Sequence, residues 1–89
     1  MKKDMKEQIL RRLKIAEGQL CALRRLVEEE RYCIDTINQF LAVRQALSKI
    51  EDIILKNHLS TCVVDQIKSG KKKQAIEEIM SIYKVSKKK

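Results

Sequence analysis

Proline and tryptophan are absent from this chain, and glycine occurs only at Gly18 and Gly70. Hairpin-built sheets need turn residues far more often than that, so an all-β domain is excluded. Aromatic side chains are limited to Tyr32, Phe40 and Tyr83, which leaves Leu, Ile, Val and Ala to build a core. Such a core, within 89 residues, is thin for a monomer, so a single domain over 1–89 that associates with further copies is expected. No apolar run approaches the roughly 18 residues of a membrane span. Residues 1–8 are charged and lack the apolar stretch of a secretory signal. The expectation is a cytoplasmic protein with no membrane partner. In that compartment three cysteines serve as thiols, metal ligands or redox sensors sooner than as disulfides. Enzyme chemistry finds no footing either: there is no nucleophile–base pair, no glycine-rich phosphate loop and no pair of catalytic carboxylates.

What is abundant is charge, and it leans one way. Twenty Lys and Arg against twelve Asp and Glu give a net +8. A positive field of this size favours polyanions, nucleic acid foremost. The hydrophobic share of 44% is too high for a disordered basic tail, so the chain folds.

The apolar pattern is helical. Over residues 3–30, Ile9, Leu13, Ala16, Leu20, Leu23 and Val27 alternate steps of four and three, which is a heptad seam. Gly18 interrupts it at a cost of about 1 kcal/mol relative to Ala, and such a glycine can mark close approach of another backbone. The rhythm stops in the charged stretch 28–32 and resumes from Ile34 to Ile67, predicting a second helix that runs to about residue 68. Ser69-Gly70 is its stop signal, with glycine suited to the left-handed cap. Ala75, Ile76, Ile79, Ile82 and Tyr83 predict a short third helix over 73–84, and residues 87–89 are expected to fray. The fold class is all-α, a three-helix protomer with two long helices and one short.

His58 is the only histidine, and Cys62 follows it by four residues on the same helix. Side chains at this spacing share a face and can share one ion, although a half-buried histidine beside a small apolar cysteine would look the same. Cys33 lies 25 residues before His58. A continuous helix separates the two by roughly 38 Å at about 1.5 Å per residue, so one chain cannot bring them together. Two antiparallel copies can, and two-fold symmetry then makes the site twice. Two thiolates and one imidazole suit Cu(I), whereas Zn(II) would normally seek a fourth ligand.

Taken together, several segments resemble the copper-sensing repressor family, CsoR/RcnR-like, over nearly the whole chain. They are Arg12-Leu13-Lys14 with Glu17-Gly18-Gln19, Arg31-Tyr32-Cys33-Ile34-Asp35, Ala42-Val43, Ala46-Leu47, and His58-Leu59 followed by Cys62. The resemblance implies an antiparallel four-helix-bundle dimer and a dimer-of-dimers tetramer. It implies a repressor that holds double-stranded operator DNA when metal-free and releases it on binding Cu(I). Cys33, His58 and Cys62 take the ligand positions, and Tyr32 and Glu78 fall where the copper branch keeps an outer pair. A carboxylate on the far ring nitrogen would fix the tautomer of His58. Without the resemblance, Glu78 would read as a solvated carboxylate and Tyr32 as a partly buried ring. Nickel and cobalt relatives use histidines near the amino terminus, and residues 1–20 contain none.

The same resemblance singles out Arg12 and Lys49 as DNA-contacting positions, to which the basic pattern adds Arg44. Two departures stand out: Cys21 replaces a usual polar residue, and Ile15-Ala16 removes one positive charge from the expected DNA face. Two alternatives remain at this stage. One is a repressor responding to thiol or persulfide chemistry at Cys33 and Cys62. The other is a copper-storage or metal-handling helical protein.

Overall fold

A computed structural model describes residues 1–87. Among these, every regular element is helical: α1 is Lys3–Glu28, α2 is Cys33–His58, a π-helical turn is Leu59–Val63, α3 is Val64–Lys68 and α4 is Lys72–Lys87. His58, Val63 and Val64 all keep right-handed helical angles, so α2 passes through the wide turn into α3 without a break. The three expected helices are therefore present, the second with an internal wide turn that hydrophobic periodicity does not predict. Of the tail expected to fray, Lys87 closes α4, and 88–89 lie outside the described residues.

Two compact units divide the chain, Met1–Ile53 and Ile54–Lys89. In the first, the buried side chains are Ile9, Ala16 and Leu23 of α1 with Val43 and Ile50 of α2. Each set repeats every seven residues, the signature of two helices meeting along a coiled-coil seam. A polar contact joins them as well, the Gln39 amide donating to the Gln19 carbonyl at 2.9 Å. Only half of the expected α1 seam is buried. Leu20 and Val27 stay 54% and 59% exposed, because a single partner helix covers one stripe of α1 and these residues lie on its flank. Phe40 and Leu47 take the corresponding flank of α2, about half exposed. An apolar cleft of about 100 Å³ runs beside the seam, lined by Leu13, Ala16 and Leu20 with Val43 and Leu47. Gly18 has nothing within 4 Å of where a Cβ would stand, so no close approach among the described residues explains its presence.

Both helical rods end in the same motif. After α3, Gly70 N–H donates to the Ile67 carbonyl and Lys71 N–H to that of Gln66, with Gly70 at φ 78°. After α1, Glu30 N–H donates to Val27 and Arg31 N–H to Leu26, with Glu30 at φ 49°. These are paired 6→1 and 5→2 caps, which require one left-handed residue. Glycine takes that conformation freely, whereas a residue with a Cβ pays about 1–2 kcal/mol. Glu30→Gly is therefore expected to stabilise the protein by about 1 kcal/mol, read as a higher urea midpoint at fixed protein concentration. A lower midpoint would show that the Glu30 side chain contributes more than its backbone costs.

Candidate metal centre

His58 closes α2, and the helix widens immediately after it. Two hydroxyls reach back across this point: Ser60 Oγ donates to the Lys56 carbonyl at 2.7 Å and Thr61 Oγ1 to the Asn57 carbonyl at 2.8 Å. Such back-bonding gives carbonyls a second partner and loosens the regular helix, and π turns of this kind concentrate at functional sites. Cys62 lies inside the turn, exposed and unoxidised, with Thr61 Oγ1 at 3.7 Å from its sulfur.

Opposite His58 stands Glu78, in the middle of α4. Its Oε2 is 3.7 Å from His58 Nε2, longer than a formed hydrogen bond. Two amides hold the carboxylate in place: Gln66 of α3 donates to Oε2 at 3.2 Å and Gln74 to Oε1 at 3.1 Å. These bonds, that of Gln66 first and Gln74 second, hold the Glu78 carboxyl below the ordinary glutamate value. Partial loss of hydration opposes them, and the neighbouring imidazole assists. The turn at Gly70 folds α4 back on α3, which is why residues 66 and 78 can meet.

The remaining candidates lie in the first unit. Cys33 is the first residue of α2 and is exposed. Tyr32 precedes it, 70% exposed, and its carbonyl accepts the N–H groups of Asp35 and Thr36. Among the described residues no three His, Cys, Asp or Glu side chains converge in a way that could hold an ion. The structure thus brings His58 and Glu78 together, while within the first unit no site partner for Cys33 or Tyr32 is found among the described residues. Cys21 is half-buried, and Arg24 Nη2 donates to its sulfur at 3.4 Å.

The basic residues are distributed unevenly with respect to acids. Among the described residues, the arginine–carboxylate pairs are Arg24–Glu28 and Arg31–Glu29, both exposed. Arg12 is half-buried and lines a groove with Asp4, Gln8, Arg11 and Ile15. Lys49 and Arg44 are exposed on α2, Arg44 beside Leu41, Gln45 and Ser48. No carboxylate comes within salt-bridge distance of any of the three among the described residues.

The model of the family described as "Metal-sensitive transcriptional repressor" matches residues 5–85. The chain belongs to this family. The copper-sensing transcriptional repressor CsoR of Bacillus subtilis (strain 168) is 42% identical over 79 residues, covering 89% of this chain and 78% of the relative. That of Mycobacterium ulcerans (strain Agy99) is 36% identical over 81 residues, covering 91% and 69%. The crystal structure of the copper-sensing repressor CsoR with Cu(I) from Geobacillus thermodenitrificans NG80-2 superimposes with a TM-score of 0.92 at 35% identity, covering 99% of this chain and 92% of that one.

Sequence reasoning about this metal-sensitive repressor misses the residues around the carboxylate. Gln74 is four residues before Glu78 and Gln66 four after Cys62. The first spacing is a readable same-face pair, whereas the second becomes meaningful only once α4 folds back. In this repressor the lowered Glu78 value favours the folded state. That stability is fully present above the ordinary glutamate value and is lost as pH falls through the lowered one. Gln66→Met removes the stronger donor at similar volume, so the Glu78 carboxyl should titrate closer to the ordinary value in ¹³C-detected NMR. An unmoved titration would mean that Gln66 does not hold the carboxylate.

Proposed function

We propose that this metal-sensitive repressor responds to Cu(I), bound between two antiparallel copies by Cys33 of one and His58 and Cys62 of the other. The observation that carries this reading is Glu78 facing His58 Nε2. A carboxylate there leaves Nδ1 for a metal and, on closing to hydrogen-bond distance, would accept a hydrogen bond from Nε2–H and raise the basicity of Nδ1 as a ligand. Both thiols are exposed and unpaired by disulfides, and a two-sulfur, one-nitrogen set fits soft, low-coordinate Cu(I). The similarity to copper-sensing CsoR proteins over most of both chains supports the same metal. When bound, the ion supplies soft-ligand bonds that tie one chain to its partner.

The chain's own residues do the rest. Cys33 and His58 stand at the two ends of α2, so the site closes only when a second copy runs antiparallel. The half-exposed flank of Leu20, Val27, Phe40 and Leu47 is the apolar surface such a copy would cover, giving a four-helix-bundle dimer and then a tetramer. Tyr32, adjoining Cys33, is the outer residue at that end of the site. Glu78 links His58 to α3 and α4 through Gln66 and Gln74, so a change at the imidazole is felt in both helices. Regulation is then a difference in DNA affinity between metal-free and metal-bound protein, a coupling of about 1–3 kcal/mol or more. Arg12, Lys49 and Arg44 hold operator phosphates in the metal-free state, in the cytoplasm where the operator lies.

The intersubunit site is tested by mixing protomers. Cys33→Ala alone, or His58→Ala with Cys62→Ala, should bind little Cu(I) and stay on the promoter fragment when Cu(I) is added. Heterodimers of the two should regain one site. Mixed dimers that form and still bind no Cu(I) would refute the shared site.

The DNA face is tested by salt. Arg12→Ala or Lys49→Ala should weaken operator binding and flatten the slope of log K against log[salt] by about 0.9 for each phosphate no longer neutralised. Cu(I) affinity should be unchanged. Operator titrations at three salt concentrations read both quantities, and unaltered affinity and slope in both variants would discard this face.

A further inference from the structure

Ser60 and Thr61 are not among the proposed ligands, yet they sit where the helix changes its pitch. In an α-helix the residue four positions after His58 runs slightly past a full turn and lies almost above it. A turn closed from i to i+5 is wider, so the fourth residue stops short of a full turn and its side chain leaves the axis in another direction. Cys62 is that residue, within the π turn Leu59–Val63. The hydroxyl bonds to Lys56 and Asn57 favour the wide turn, because they occupy carbonyls one turn back that a tight helix would bond to backbone alone. Thr61 does more. With its proton on the Asn57 carbonyl at 2.8 Å its rotamer is fixed, and its oxygen flanks the Cys62 sulfur at 3.7 Å.

We propose that Thr61, assisted by Ser60, is a positioning residue for the Cys62 sulfur, holding it in the direction set by the π turn. The proposal rests on the reading of Cys62 as a ligand, but its test does not depend on copper. In reduced, metal-free protein carrying Cys21→Ser and Cys33→Ser, Cys62 is the one thiol, and its alkylation rate by iodoacetamide reports its exposure and orientation. Thr61→Val keeps the shape and removes the hydroxyl, and should change that rate severalfold. Thr61→Ser should restore it, and Ser60→Ala should add to the valine effect. With Cys21→Ser and Cys62→Ser instead, the rate at Cys33 should be indifferent to Thr61→Val, which separates positioning from general loosening of the fold. In the chain with all three cysteines, Thr61→Val should lower Cu(I) affinity about tenfold in competition with a chelator, as removing an outer support of a ligand does.

A Cys62 alkylation rate unmoved by Thr61→Val, a change that serine fails to restore, or an unaltered Cu(I) affinity in the valine variant each overturns the proposal. A parent chain that binds no Cu(I) at all refutes the ligand reading instead, and the alkylation rates then decide positioning by themselves.

Discussion

The carboxylate of Glu78 is the point on which the second unit turns. It is one anion met by an imidazole from the end of α2, an amide from α3 and an amide from its own helix. Each partner alone is a weak, partly solvated contact. Together they specify where α4 must lie along α3, because a carboxylate has two oxygens and each is taken by a different donor. The cap at Gly70 makes this geometry reachable by reversing the chain within a few residues. An apolar contact at Ala75, the one buried side chain of α4 among the described residues, provides little beyond a close approach.

The first unit is organised by the opposite means. Ile9, Ala16 and Leu23 against Val43 and Ile50 bury apolar area along a single stripe. Each Ile, Leu or Val side chain contributes about 1.5–3 kcal/mol when fully removed from water, and the Ala16 methyl about 0.8 kcal/mol. Within this unit α1 and α2 bury only the stripe they share, and Leu20, Val27, Phe40 and Leu47 are half exposed. In the proposed antiparallel dimer, a second copy would answer both this incompleteness and the placement of Cys33 and His58 at opposite ends of α2. Stability and sensing would then be answered by one interface, coupling occupancy of the proposed metal site to the arrangement of the cations proposed to hold DNA.

The two caps show how strongly backbone geometry can override residue preference. Gly70 sits in the left-handed conformation without strain, whereas Glu30 adopts it with a Cβ and a charge. At residue 70 the glycine announced the turn. At residue 30 nothing but a lapse in the apolar rhythm did, and the backbone closes the same pair of hydrogen bonds regardless.

Helix number, the heptad seam, the stop at Gly70 and the candidate ligands His58, Cys62 and Cys33 were legible in the sequence, because they depend on spacing along one helix and on side-chain chemistry. The resemblance carried by Arg31-Tyr32-Cys33-Ile34-Asp35 and by His58 with Cys62 extended this to Glu78, whose position beside the imidazole no periodicity could have revealed. Three matters belonged to the tertiary structure. Which half of the α1 seam is buried depends on where α2 lies. That Gln66 and Gln74 hold the carboxylate depends on α4 folding back. The π turn at Leu59–Val63 comes with two hydroxyls bonded to carbonyls one turn back, and Ser and Thr make those bonds only when the local backbone offers them the geometry. A sequence determines which contacts are chemically available, while the packing of one helix on another decides which of them are within reach.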